Sequence, residues 1–199
     1  MRKDCRFLAG FCLVCLLHFP LIHKNAFAQD SLFTVTDKLI LRDDPDSKSK
    51  KILTINPGKW ILIEKQRLGK WIKLETPEGA SGWTDKKRNL ISVPRLTDAE
   101  GQIPVLPGTP ESVIPRILAQ PLPRRGQGPY QSQGEVFIVV VIEKDGKIGN
   151  RAILKSSGDT VFDHESIQVL DKWQFAPPLL HNNPVSMLAI VQTSFRIFP

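Results

Sequence analysis

Cysteine is confined to the first 15 residues of this 199-residue chain, at Cys5, Cys12 and Cys15. The rest of the protein therefore has no disulfide to close its loops and no thiol for nucleophilic or redox work. Histidine is scarce as well, with only His164 and His181 beyond residue 28. A nucleophile–base pair needs a third group to orient it, and no G-x-S-x-G motif or phosphate-cradling glycine loop is present. The run Asp163-His164-Glu165 resembles a ligand set, but neighbouring helical residues point in different directions. No catalytic residue, metal site or cofactor is expected, and the chain is not read as an enzyme. The formal net charge of +7 is modest, and no basic helix with interleaved aromatics accompanies it, so nucleic acid is excluded as a partner. Nothing after Gln29 is apolar enough over the roughly 20 residues that a membrane-spanning helix needs.

What is present begins with an export signal. A basic start, MRKDCR, precedes the apolar stretch Phe7–Ile22, and AFAQD offers an A-x-A site with cleavage between Ala28 and Gln29. Residues 1–28 are thus expected to be a signal peptide. Sec-type export would then leave the protein in the periplasm or cell envelope. Retention of the segment would instead anchor the chain in the inner membrane. No L-[AS]-G-C pattern precedes a cysteine, which argues against a lipoprotein.

Residues 29–93 read as short strands with polar breaks, the pattern of a small all-β barrel. LILR (Leu39–Arg42), KILTI, WILIEK (Trp60–Lys65), KWIKLE (Lys70–Glu75) and GWTD (Gly82–Asp85) are the strands. In KWIKLE, Ile72 and Leu74 share one face and Trp71 and Lys73 the other. The order LILRDDP, NPGKWILI, WIKL and GWT resembles the bacterial Src-homology-3 domain of envelope proteins. Trp60, Trp71 and Trp83 are candidates for a cell-wall surface that stacks on peptidoglycan, against the alternative of ordinary core packing.

Residues 94–133 hold eight prolines between Pro94 and Pro129. Each proline removes a backbone donor and fixes φ, so the stretch is expected to be a semi-rigid linker. Pro104, Pro107 and Pro110 recur every third residue, which is the polyproline-II period.

Residues 134–199 read as β-β-α-β. GEVFIVVVIEK and KIGNRAILKSS flank Asp145-Gly146, expected to be a two-residue hairpin. Thr160 and Asp163 outline a capping box, and Phe162, Ser166, Val169, Leu170 and Trp173 fall on one helical stripe. Pro177-Pro178 stops the helix, and Val185–Phe198 reads as the last strand. The expected fold is two small domains: an all-β barrel and an α+β unit with one helix on a three-stranded antiparallel sheet.

Five local signatures in this order resemble the C-terminal domain of TonB-family energy transducers. They are Gly134-x-Val136, Asp145-Gly146-x-Ile148, Ser156-Ser157-Gly158, Phe162-Asp163 and Trp173-x-Phe175-x-Pro177. The resemblance implies capture of an extended peptide of an envelope protein, such as an outer-membrane transporter, by strand addition at a sheet edge in TonB-dependent transport. The candidate edge is Ala189, Ile190, Val191, Gln192, Thr193, Ser194, Phe195 and Arg196. Open alternatives are a peptidoglycan-associated adaptor working through the barrel, a homodimer that covers the edge, and a membrane-anchored transducer.

Overall fold

Short apolar stretches broken by Asp, Gly, Pro and Asn set most of the strands. The computed structural model describes residues 31–58, 60–122 and 134–195; the signal segment, with Ala28 and Gln29, lies outside them. The N-terminal strands are β1 (Leu32–Val35), β2 (Leu39–Arg42), β3 (Lys51–Ile55), β4 (Leu62–Leu68), β5 (Trp71–Glu75), β6 (Ser81–Thr84) and β7 (Leu90–Val93). They form one antiparallel sheet in the order β3-β2-β6-β5-β4-β1-β7. Among the described residues no pairing joins β3 to β7, so the expected barrel is an open sheet. Closure depends on pairing between the outermost strands, and β7 pairs with β1 instead, Leu32 opposite Val93 and Val35 opposite Leu90. Val35, Leu39, Leu41, Ile55, Leu62, Ile72 and Leu74 make its core. Ile72 and Leu74 point inward together, as the alternation required.

The proline-rich stretch is not a free spacer over its described part. Residues 94–122 run as a strap across the molecule, with short strands β8 (Ser112–Val113) and β9 (Ile117–Ala119). Pro104 and Leu106 are buried while Ile103 and Pro110 are exposed. Around Val105 this is the two-residue period of an extended strand rather than a threefold one. Proline forbids a ladder donor at its own position only; the residues between the prolines remain free to pair and to be buried.

The C-terminal part contains β10 (Gly134–Ile142), β11 (Ile148–Lys155), α1 (Thr160–Val169), β12 (Gln174–Phe175), β13 (Leu179–Leu180), β14 (Asn183–Pro184) and β15 (Met187–Phe195). Its main sheet has the order β11-β10-β15. The hairpin loop is one residue longer than expected. Glu143 N–H donates to the Lys147 carbonyl, Gly146 N–H donates to the Glu143 carbonyl, and Gly146 adopts φ +81°. This is a three-residue loop, Lys144–Gly146, closed by a left-handed glycine. The helix cap also differs from the expected box. Asp159 is the N-cap, accepting from Val161 N–H and Phe162 N–H, because its carboxylate lies within reach of those unpaired first-turn donors. Asp163 reaches back instead to accept from the Ser157 N–H and hydroxyl at 2.9 and 2.7 Å. The predicted stripe holds: Phe162, Ser166, Val169, Leu170 and Trp173 are all buried.

Strand β10 is buried on both faces. Val136, Ile138, Val140 and Ile142 meet Phe162, Leu170, Trp173 and Phe175 on the helix side. Val139 and Val141, with Leu188 of β15, meet Leu32, Ile61, Ile63, Val93 and Leu106 on the other side. The two halves of the chain thus share a core through one strand. Each such side chain removed from water contributes about 1.5–3 kcal/mol.

Candidate functional site: the outer edge of the last strand

All nine residues of β15 pair with β10, from Gly134 opposite Phe195 to Ile142 opposite Met187. That ladder uses one side of β15. On the other side the strap makes a single parallel rung: Val105 N–H donates to the Ser186 carbonyl and Leu188 N–H donates to the Val105 carbonyl, each at 2.9 Å. The N–H and C=O of one strand residue point the same way, and the direction alternates along the strand. Leu188 faces outward, so Ile190, Gln192 and Ser194 do as well. Among the described residues, no backbone group pairs with that edge beyond Leu188. A row of unpaired donors and acceptors is a template for an added strand.

The side chains of β15 alternate between the two faces of the sheet. Ala189 and Val191 pack on the helix-side core, and the buried Thr193 hydroxyl meets that of Ser166 at 2.8 Å. Ile190 packs on the opposite core, while Gln192 and Ser194 are exposed. Phe195 completes the ladder through its backbone; its side chain and Arg196 lie outside the described residues.

Along this edge runs an apolar groove of about 270 Å³. Residues of both strand faces line it, Ala189 and Val191 from one and Ile190 and Gln192 from the other. The groove therefore lies at the edge itself rather than over either face. Trp173 and Phe175 form its inner side, and Pro107, Ile114, Pro115 and Ile117 of the strap form its outer wall. Sequence reasoning assigned that wall to a linker. The available signal was the apolar content of SVIPRILA within an otherwise proline-marked stretch.

The wall is pinned along its length. Ser112 and Val113 pair with Leu180 and Leu179, and Ile117 and Ala119 pair with Phe175 and Gln174. Ala176 N–H donates to the Arg116 carbonyl at 2.8 Å, and the Trp173 indole N–H donates to the Pro121 carbonyl at 3.0 Å. At the other end, buried Asp98 accepts from Glu100 N–H, Gln102 N–H and the Ser186 hydroxyl.

Burial works against the Asp98 charge, but the bonds from Gln102, Ser186 and Glu100 outweigh it, so its pKa lies below the ordinary value. Asp163 behaves likewise: burial opposes ionisation, and hydrogen bonds from Ser156 and Ser157 prevail. Glu143, beside Asp98, moves upward through burial and the Asp98 charge. A depressed carboxyl contributes stability that is complete above its unfolded-state pKa and is lost as pH falls through the folded one. Glu143 has the opposite sign, its contribution fading as pH rises. Acid titration below about pH 4 is therefore expected to weaken the strap's Asp98 anchor. In Asp98→Asn part of that acid sensitivity should vanish, which denaturation midpoints between pH 7 and pH 3 will register.

The remaining candidates are placed as follows. Trp71 and Trp83 are each 8% exposed, with Lys70 and Lys73 ammonium groups over the rings at 5.6 and 6.0 Å. Trp60 is partly buried against the N-terminal core. Trp71 and Trp83 are thus largely covered, while Trp60 stays half-buried. His164 pairs with Gln168 on exposed helix surface. No group of three or more acidic, histidine or cysteine side chains is arranged to hold a metal ion among the described residues. Among them, too, no helix is long and apolar enough to cross a membrane.

No curated protein matches the chain. Residues 130–197, the stretch that carries β10 through β15, match the family model of the Gram-negative bacterial TonB protein C-terminal, so it is to the TonB C-terminal domain that this part of the chain is similar.

Proposed function

We propose that the protein is a non-enzymatic cell-envelope binding protein of the TonB type. It captures an extended peptide of an envelope partner, such as an outer-membrane transporter, as an added strand on β15 in TonB-dependent transport. The observation that carries this reading is the run of outward backbone groups at Ile190, Gln192 and Ser194 beside an apolar groove. Added strands gain affinity from main-chain bonds and selectivity from pockets for alternate side chains; the outward edge of β15 and the apolar groove beside it support this reading. The N-terminal sheet, read as Src-homology-3-like from its sequence, backs the C-terminal sheet through the shared core.

Titration of the full chain with a synthetic extended peptide of an outer-membrane transporter tests the proposal. The amide resonances of Ile190, Gln192 and Ser194 are expected to shift and to gain protection from hydrogen exchange, while those of β3 stay in place. Shifts confined to the N-terminal sheet, or none at saturating peptide, would overturn it.

A further inference from the structure

An added strand on β15 would lie between two surfaces. One is the strand's own edge, and the other is the strap, which precedes the family-matched stretch. The strap side chains facing the groove include Ile114 and Ile117, which are 62% and 51% exposed. Exposed isoleucines held in place by backbone pairing on both sides are costly to leave in water, at roughly 25 cal/mol per Å² of apolar surface. The Val105 rung shows how an extended chain sits here: it pairs at Ser186 and Leu188 and then turns away at Pro107, which has no N–H to continue the ladder. The rung closes one end of the edge. An incoming strand is thereby limited to the stretch opposite Ile190–Ser194.

We infer that Ile114 and Ile117 form the outer wall of the peptide site and select extended peptides with apolar alternate side chains, with Val105 fixing where the added strand begins. The inference rests on the strand-addition reading. Its occupant is a segment of another protein, extended and carrying valine-like side chains at every second position. Those side chains would fill the space between Ala189 and Val191 on one side and Ile114 and Ile117 on the other.

The test uses the full chain and two capped peptides, Thr-Val-Thr-Val-Thr-Val-Lys and the same peptide with serine for each valine. The wild-type chain is expected to bind the valine peptide at least tenfold more tightly. Ile114→Asp combined with Ile117→Asp should weaken the valine peptide tenfold or more and erase the preference. Because both side chains are exposed, the thermal midpoint should change little; Ile114→Ala with Ile117→Ala provides a milder pair with the same expected direction. An unchanged preference in both double variants, with binding still abolished by Gln192→Pro, would overturn the wall while leaving strand addition intact. Full binding in Gln192→Pro as well would overturn both. A concentration-dependent dimer in light scattering that the valine peptide fails to dissociate would assign the edge to a second copy and also overturn the inference.

Discussion

Gln192→Pro is expected to abolish peptide capture while leaving the protein folded. Gln192 faces outward on β15, so its N–H takes no part in the ladder with β10. Proline is tolerated on edge strands where its missing donor would have faced solvent. The substitution thus removes the middle of three edge donors and puts a ring where the added backbone must approach. A lost hydrogen bond that leaves its partner's acceptor unsatisfied costs about 1–3 kcal/mol, or roughly fivefold to more than a hundredfold in Kd. Two controls bracket the result. Gln192→Ala keeps the donor and should bind nearly normally. Val191→Pro breaks a bond to β10 at a buried position, and its thermal transition should fall sharply or disappear. Calorimetric titration alongside thermal melts separates these outcomes. If Gln192→Pro binds like the parent, the partner does not use this edge.

Gly146→Ala should be the most destabilising of the single glycine replacements. Gly146 sits at φ +81°, where an L side chain costs about 1–2 kcal/mol. A Cβ there would also run into the Phe175 carbonyl oxygen, which is backbone and has nowhere easy to go. The close approach is held by a hydrogen bond from Phe175 N–H to the Gly146 carbonyl at 2.9 Å. Two of the short motifs, Asp145-Gly146 and Trp173-x-Phe175, are therefore one contact in space. Gly79 has a similar φ of +93° with nothing within 4 Å of the added carbon, so Gly79→Ala isolates the conformational part. Gly146→Ala is expected to cost about 3 kcal/mol in all. The corresponding drop in Tm is about 6–12 °C for a chain of this size. Equal losses at both glycines would mean that the Phe175 segment yields without penalty.

The C-terminal sheet and helix were legible in the sequence because their signals are local. The stripe Phe162, Ser166, Val169, Leu170 and Trp173 has the helical period, and the inward–outward alternation of β15 follows from its residues. Other features depend on partners distant in the chain. Whether β7 meets β1 or β3 decides between a barrel and an open sheet, and nothing within Leu90–Val93 encodes the choice. Proline counting gave the strap its donor deficit but concealed that Val105 and Leu106 are free to pair and pack. One signal was present and unused. Val136–Ile142 is an unbroken apolar run, and a strand with one solvated face would alternate. The run announced a second covering layer, which the N-terminal sheet supplies. In the candidate site, the last strand was legible in the sequence, whereas the strap residues that line the groove beside it were not, because their partners lie far along the chain.

The sharing of β10 between two cores also has a mechanical meaning. A pull along a peptide lying beside β15 acts parallel to the strand axis. The nine paired positions of β15 and β10 would then bear the load in shear, together rather than one rung at a time. Because Val139 and Val141 pack in one cluster with Leu32, Ile63 and Val93, such a load would also be felt by the N-terminal layer. The chain is built as a laminate, in which the middle ply is clamped on both sides and neither outer ply can slip without moving it.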